Sequence, residues 1–137
     1  MFLKFNVDGS CSGGKGGFGG LFRSPAGDIH SFYAKHLKET TSFQVELLSV
    51  QAGLQIILKK SLKKIELETD NEQIARILRQ DEKINKVDPI LTDVMTKLTF
   101  ASEHLYDIRI NHIYRAANCC ANYLANNARV SQDSPSH

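Results

Sequence analysis

Leu3, Phe5 and Val7 alternate with Lys4, Asn6 and Asp8. This is the period-two pattern of a half-buried strand, and its polar side ends at Asp8. Residues 17–24 and 28–37 form two further apolar runs about a Pro-Ala-Gly-Asp turn and predict a β-hairpin. Thr41-Ser42-Phe43-Gln44 is a capping-box pattern, after which Phe43, Leu47, Val50, Leu54, Ile57 and Leu58 recur at helical spacing to about residue 60. Ile65, Leu67 and Thr69 alternate with Glu66 and Glu68 in a short strand ending at Asp70, where a helix through Ile74, Ile77 and Leu78 begins. Asp88-Pro89 supplies an N-cap with proline at the first helical position, and Leu91, Val94, Met95, Leu98 and Ala101 carry that helix on. Ile108, Ile110 and His112 mark a last strand, and Asn118 can cap a terminal helix through Ala121, Leu124, Ala125 and Ala128. The final SQDSPSH, residues 131–137, reads as a disordered tail. The order β-β-β-α-β-α-α-β-α over residues 1–130 predicts one α/β domain. Its five-stranded mixed sheet has three antiparallel strands and then two parallel ones, flanked by helices.

Composition narrows the class without choosing a function. The 137 residues are 42% hydrophobic and 23% charged, ordinary for a globular chain, and no apolar run approaches the roughly 18 residues of a membrane span. The opening MFLKFNV is too short for a signal-peptide core, so no secretory signal is expected. Cys11, Cys119 and Cys120 are an odd set with two adjacent members, which suits a reducing compartment, the nucleus or cytoplasm. A net charge of +2 does not by itself demand a nucleic-acid partner, and the lysines of ILKKSLKK read as the solvated end of a helix. A zinc site of Cys119, Cys120 and His112 lacks the C-x-x-C spacing.

The glycines after Asp8 fit G-x-G-x-x-G at Gly14, Gly16 and Gly19, but a dinucleotide site needs a helix next, and a hairpin follows. A P-loop fails because Lys15 precedes Gly16 rather than Ser or Thr. The glycines therefore read as a turn and a strand edge. Ligands of open α/β sheets collect where strands end, which is where Asp8 and Asp70 lie. Each also has a local explanation, a turn for Asp8-Gly9 and a helix cap for Asp70 with Gln73. Glu46 sits at the edge of its helix's apolar stripe, at roughly 100° per residue, and there needs a partner. Gly53, on the same side, predicts close backbone packing. Converging carboxylates repel unless a cation lies among them, and magnesium suits oxygen ligands that are completed by substrate phosphate.

FNVDGS with its glycines and hairpin, QVELLSV, LETDN and HIYRAANCCANYLA, taken in that order, resemble the type 1 ribonuclease H domain, especially the ribonuclease H-like domains of plants, over residues 3–129. The resemblance implies a ribonuclease H-like fold and a four-carboxylate site. Two magnesium ions, or manganese, bound there would serve hydrolysis of the RNA strand of RNA/DNA hybrids. Asp8, Glu46 and Asp70 match the first three carboxylates. The fourth position carries Asn122, which keeps a carbonyl oxygen and loses the charge. His112, ten residues earlier, matches the family's histidine that assists proton transfer or product release, and Asn118 matches an asparagine at the head of the last helix. Ser10, Ser42, Gln44, Asn71 and Asn118 are the expected substrate contacts. Where some family members carry an additional basic helix, this chain has room only for a loop with Lys83 and Lys86, which implies modest hybrid affinity. Two functions follow: a metal-dependent endoribonuclease, expected as a monomer with no membrane association, or a catalytically degenerate module binding nucleic acid or a protein partner. Asn122 is the residue that separates them.

Overall fold

The first strand does not stop at Asp8. In the computed structural model, which describes residues 1–80 and 88–130, β1 runs over Leu3–Ser12 and pairs antiparallel with β2, Lys15–Arg23. Gly13 and Gly14 make the link at φ 60° and 79°, backbone that glycine adopts without a Cβ clash. Gly17 and Gly19 of β2 lie under the terminal helix α4, Cys119–Val130. A Cβ on Gly17 would stand 2.1 Å from the Arg129 nitrogen, and one on Gly19 would stand 2.5 Å from Leu124 Cβ. Their absence lets the helix lie directly on the strand.

Strand β3, Ile29–Leu37, pairs antiparallel with β2. β4, Lys64–Thr69, and β5, Asp107–His112, add in parallel on the other side, giving the order β3-β2-β1-β4-β5. The expected α/β sheet is present. One face carries Phe5, Val7, Ile65 and Leu67 against α1, Ser42–Lys59, with α2, Glu72–Leu78, and α3, Pro89–Glu103, completing that layer. Gly53 of α1 sits on Phe5, where a Cβ would fall 1.7 Å from Cζ, and Phe5 stacks on Phe22 at 4.5 Å. This is the close packing that a glycine in mid-helix predicts. The opposite face holds α4 across β2 and β1.

Local caps agree with the pattern except at two positions. Thr41 Oγ1 accepts from the Gln44 amide at 3.2 Å, and Asp88 Oδ1 accepts from Ile90 and Leu91. The cap of α2 is Asn71, whose Oδ1 accepts from Ile74, so Asp70 is released from that local duty. Asn118 ends a 3₁₀ turn, Arg115–Asn118, and turns its side chain into the sheet instead of capping α4. The lysines from 59 to 64 are exposed, as a solvated helix end should be. Lys83, Lys86 and the tail of residues 131–137 lie outside the described residues. Among the described residues no helix is long and apolar enough to cross a membrane.

Candidate metal centre

Asp8 and Asn6 share a face of β1 by period two, the face on which α4 lies. Asp70 stands directly after β4, the parallel neighbour of β1. Glu46 comes down from the first turns of α1. Three elements thus deliver three carboxylates whose oxygens lie within 4.8 Å of one another. Asp8 and Glu46 are each only 6% exposed, and Asp70 is half-buried.

Charge at such spacing is held only with difficulty. Burial, and then the charge of Asp70, push Asp8 up from 3.8 to about 6, against the opposing pull of the neighbouring Glu46 side chain, the Gly9 amide and the Arg115 charge. Burial, and then Asp8, push Glu46 up from 4.5 to about 9. Glu46 Oε1 accepts from the Gly9 amide at 3.1 Å, while Oε2 is buried with no partner. Asn122 places Nδ2 3.3 Å from the Arg115 carbonyl, to which it donates, and its Oδ1 is likewise buried without a partner. These two oxygens are the only buried side-chain polar atoms without a hydrogen bond among the described residues. The three clustered carboxylates, with Glu46 Oε2 left without a partner, therefore suit a hard divalent cation, whereas Asn122 is not among the residues that line the cavity they open into.

The carboxylates open into a cavity of about 250 Å³ that Ser10 and Ser42 also line. Ser10 is already engaged, donating to Asn126 Oδ1 and accepting from Arg129 Nε, both at 2.8 Å. Ser42 and Gln44 are exposed in the first turn of α1. His112 lies 3.2 Å from the Asp70 carbonyl through Nε2. A carbonyl only accepts, so Nε2 is the protonated nitrogen in this contact and Nδ1 is left as acceptor. Asn118 is 1% exposed, with Oδ1 accepting from Asn6 and Nδ2 donating to the Val7 carbonyl.

Two features are absent from the sequence reading. Arg115 and Asn126 line the same cavity. Beneath it, Arg23 donates to Asn6 and Glu68, and Asn6 donates to Glu68 and Asn118, a buried network that ties β2, β1 and β4 to the start of α4. Period two offered the signal, since Asn6 precedes Asp8, and Glu68 precedes Asp70, by two residues on the same face.

Comparison with known proteins bears on the family and the fold. A curated Arabidopsis thaliana protein named provisionally as a ribonuclease H protein is 31% identical over 129 residues, 93% of this chain and 20% of that one. The chain thus spans about a fifth of that relative. Ribonuclease H1 of the archaeon Halobacterium salinarum superposes with a TM-score of 0.79 at 25% identity, covering 93% of this chain and 97% of that one. LC11-RNase H1, solved in complex with an RNA/DNA hybrid, superposes with a TM-score of 0.81 at 21% identity, covering 96% and 99%. A family model described as reverse transcriptase-like matches residues 6–128, which takes in all three clustered carboxylates and Asn122. By that match and by its sheet order, the chain belongs to the reverse transcriptase-like family of ribonuclease H-like domains.

Proposed function

We propose that the chain is a metal-dependent endonuclease that hydrolyses the RNA strand of RNA/DNA hybrids. One observation carries the reading: Asp8, Glu46 and Asp70 bring ligand oxygens within 4.8 Å of one another, and Glu46 Oε2 is buried without a partner. Magnesium or manganese would be held by Asp8, Glu46 and Asp70 with Asn122 Oδ1, and supplies Lewis-acid activation of water and charge neutralisation at the phosphodiester. Glu46 is fixed by the Gly9 amide so that Oε2 faces the cluster. Arg115 and the Gly9 hydrogen bond oppose the burial and the Asp70 charge that raise the Asp8 carboxyl. His112, held against the Asp70 carbonyl through Nε2, would take or return a proton through Nδ1. Ser42 and Gln44 would offer donors to the substrate backbone from the exposed first turn of α1, with Ser10 lining the same cavity as Ser42 and Asn71 next to Asp70 in the chain. Asn118 serves by positioning, since it holds α4 and β1 together from a buried place. Recognition by backbone and 2′-hydroxyl contacts, with base edges unread, fits a cavity lined by small polar groups.

A second reading has one observation in its favour, the uncharged Asn122: a degenerate module that binds nucleic acid or a protein partner without cutting. A labelled RNA/DNA hybrid incubated with magnesium and, separately, with manganese distinguishes the two. Cleavage of the RNA strand, lost in Asp70→Asn, is expected. An intact RNA strand with both metals, from folded protein, would establish the second reading.

A further inference from the structure

We propose that Cys119 and Cys120 form a dithiol site for trivalent arsenic that carries an aryl arm, with the arm seated in an apolar groove between α4 and β3. The site is independent of the carboxylate cavity, with which the groove shares no lining residue. β3 is an edge strand of the sheet, and its Phe32 pairs with Leu21 of β2. Cys119 opens α4, and Tyr123, four residues on, stands on the same side of that helix. Leu21, Ile29, Phe32 and Tyr123, together with the two thiols, line a groove of about 410 Å³. Ile29, Phe32 and Tyr123 are 61%, 66% and 66% exposed, so three large apolar side chains meet in one groove and stay open to solvent. Single apolar side chains scattered on a surface are ordinary, whereas several facing one concavity mark a place where an apolar group binds.

The thiols decide what that group is attached to. Both are free and exposed, and they hydrogen-bond each other. That contact, and then burial, hold the Cys120 thiol above its ordinary range, so it stays protonated at neutral pH. A structural zinc ion takes four ligands, and among the described residues no third His, Cys, Asp or Glu joins the pair in a metal-ligating group. A disulfide would have to draw the sulfurs to about 2.05 Å, although consecutive residues of a helix point about 100° apart. Trivalent arsenic needs only two sulfurs, at the wider spacing of sulfurs in mutual contact, and keeps its third valence for carbon. An aryl arsenoxide condenses with the two thiols: two arsenic–sulfur bonds form, the arsenic–oxygen bond breaks, and the oxygen leaves with both thiol protons as water. Arsenic stays trivalent, so no oxidant or reductant takes part. The aryl ring then lies in the groove against Phe32 and Tyr123, where ring-on-ring contact adds to burial. Cys11 supplies an internal control, since it lines the carboxylate cavity and donates to the Thr40 carbonyl at 3.5 Å.

Phenylarsine oxide mixed with the full chain in excess glutathione should leave a single adduct per chain in intact-mass spectrometry, with affinity read by competition against dithiothreitol. Cys119→Ser and Cys120→Ser should each weaken the adduct at least about a hundredfold, because a single bond replaces a two-point attachment. Cys11→Ser should keep the wild-type affinity. Phe32→Ala should bind phenylarsine oxide at least about fivefold weaker and inorganic arsenite as well as wild type does, since only the aryl arm reaches the groove. Circular dichroism checks that the variants fold. In wild type, nuclear Overhauser contacts from the bound phenyl protons should reach the rings of Phe32 and Tyr123, a readout that needs no variant. An adduct that survives in either serine variant at position 119 or 120, its loss in Cys11→Ser, or a Phe32→Ala response that is absent or equal for both arsenicals would overturn the inference. Phenyl contacts confined to residues outside the groove would do the same.

Discussion

Glu46→Gln should make the cation-free protein more stable at pH 8 and change it far less at pH 5. Glutamine has the same shape and keeps a carbonyl oxygen for the Gly9 amide, which reaches Glu46 Oε1 at 3.1 Å. What it removes is proton linkage. Burial, and then the Asp8 charge, raise the Glu46 carboxyl from 4.5 to about 9, so the folded chain keeps a proton that the unfolded chain releases. A carboxyl raised on folding contributes fully below its unfolded value, and that contribution is lost as pH rises from about 4.5 toward about 9. Each pH unit inside the window withdraws up to about 1.4 kcal/mol per proton, giving a ceiling of about 4 kcal/mol between pH 5 and pH 8. The cluster opens into a cavity lined by half-buried Asp70, which eases solvation of the charged form. The expected gain is therefore about half the ceiling, about 2 kcal/mol, or about 6–8 °C in Tm for a chain of this length. Thermal and urea denaturation in EDTA at the two pH values, followed by circular dichroism, measures it. Added manganese should raise the Tm of wild type at pH 8 and not that of the variant. A glutamine variant less stable than wild type at pH 8, or shifted equally at both pH values, would refute the account of Glu46 as a carboxylate held for a cation.

Asn122→Asp returns a negative charge to the cluster and should raise magnesium-dependent hybrid cleavage by at least about tenfold, about 1.4 kcal/mol of barrier, measured as initial rate on a labelled hybrid. An inactive but folded aspartate variant would count for the binding module. Gly53→Ala drives a methyl into the Phe5 ring, 1.7 Å from Cζ, and should destabilise by about 2–3 kcal/mol in urea titration, because Phe5 is fully buried and stacked on Phe22. Asn118→Ala leaves Asn6 and the Val7 carbonyl without their buried partner and should cost about 1–3 kcal/mol. Native-state hydrogen exchange should show that loss first at the start of α4, and protection unchanged there would argue against the network.

The sequence by itself determined the order and kind of the elements, because alternation, helical spacing and caps such as Thr41 and Asp88 act over a few neighbouring residues. It also marked Asp8, Glu46 and Asp70, whose polar groups interrupt or border apolar patterns that a core would otherwise extend. Local chemistry misassigned residues that have two uses. Asp70 reads as a cap until Asn71 takes that duty, and Asn118 reads as a cap until Asn6 and Val7 claim its amide. Only the tertiary structure decided that the parallel pairing of β1 with β4 sets Asp70 beside Asp8, and that α1 crosses them with Glu46 pointing in. The perturbed carboxyls follow from that meeting, since burial and mutual repulsion exist only once distant segments are packed together. Arg115 and Asn126 belong to the same class. Nothing in their own neighbourhoods marks them, and they reach the cavity because α4 lies on the glycines of β2, a contact between the two ends of the chain that no local pattern encodes.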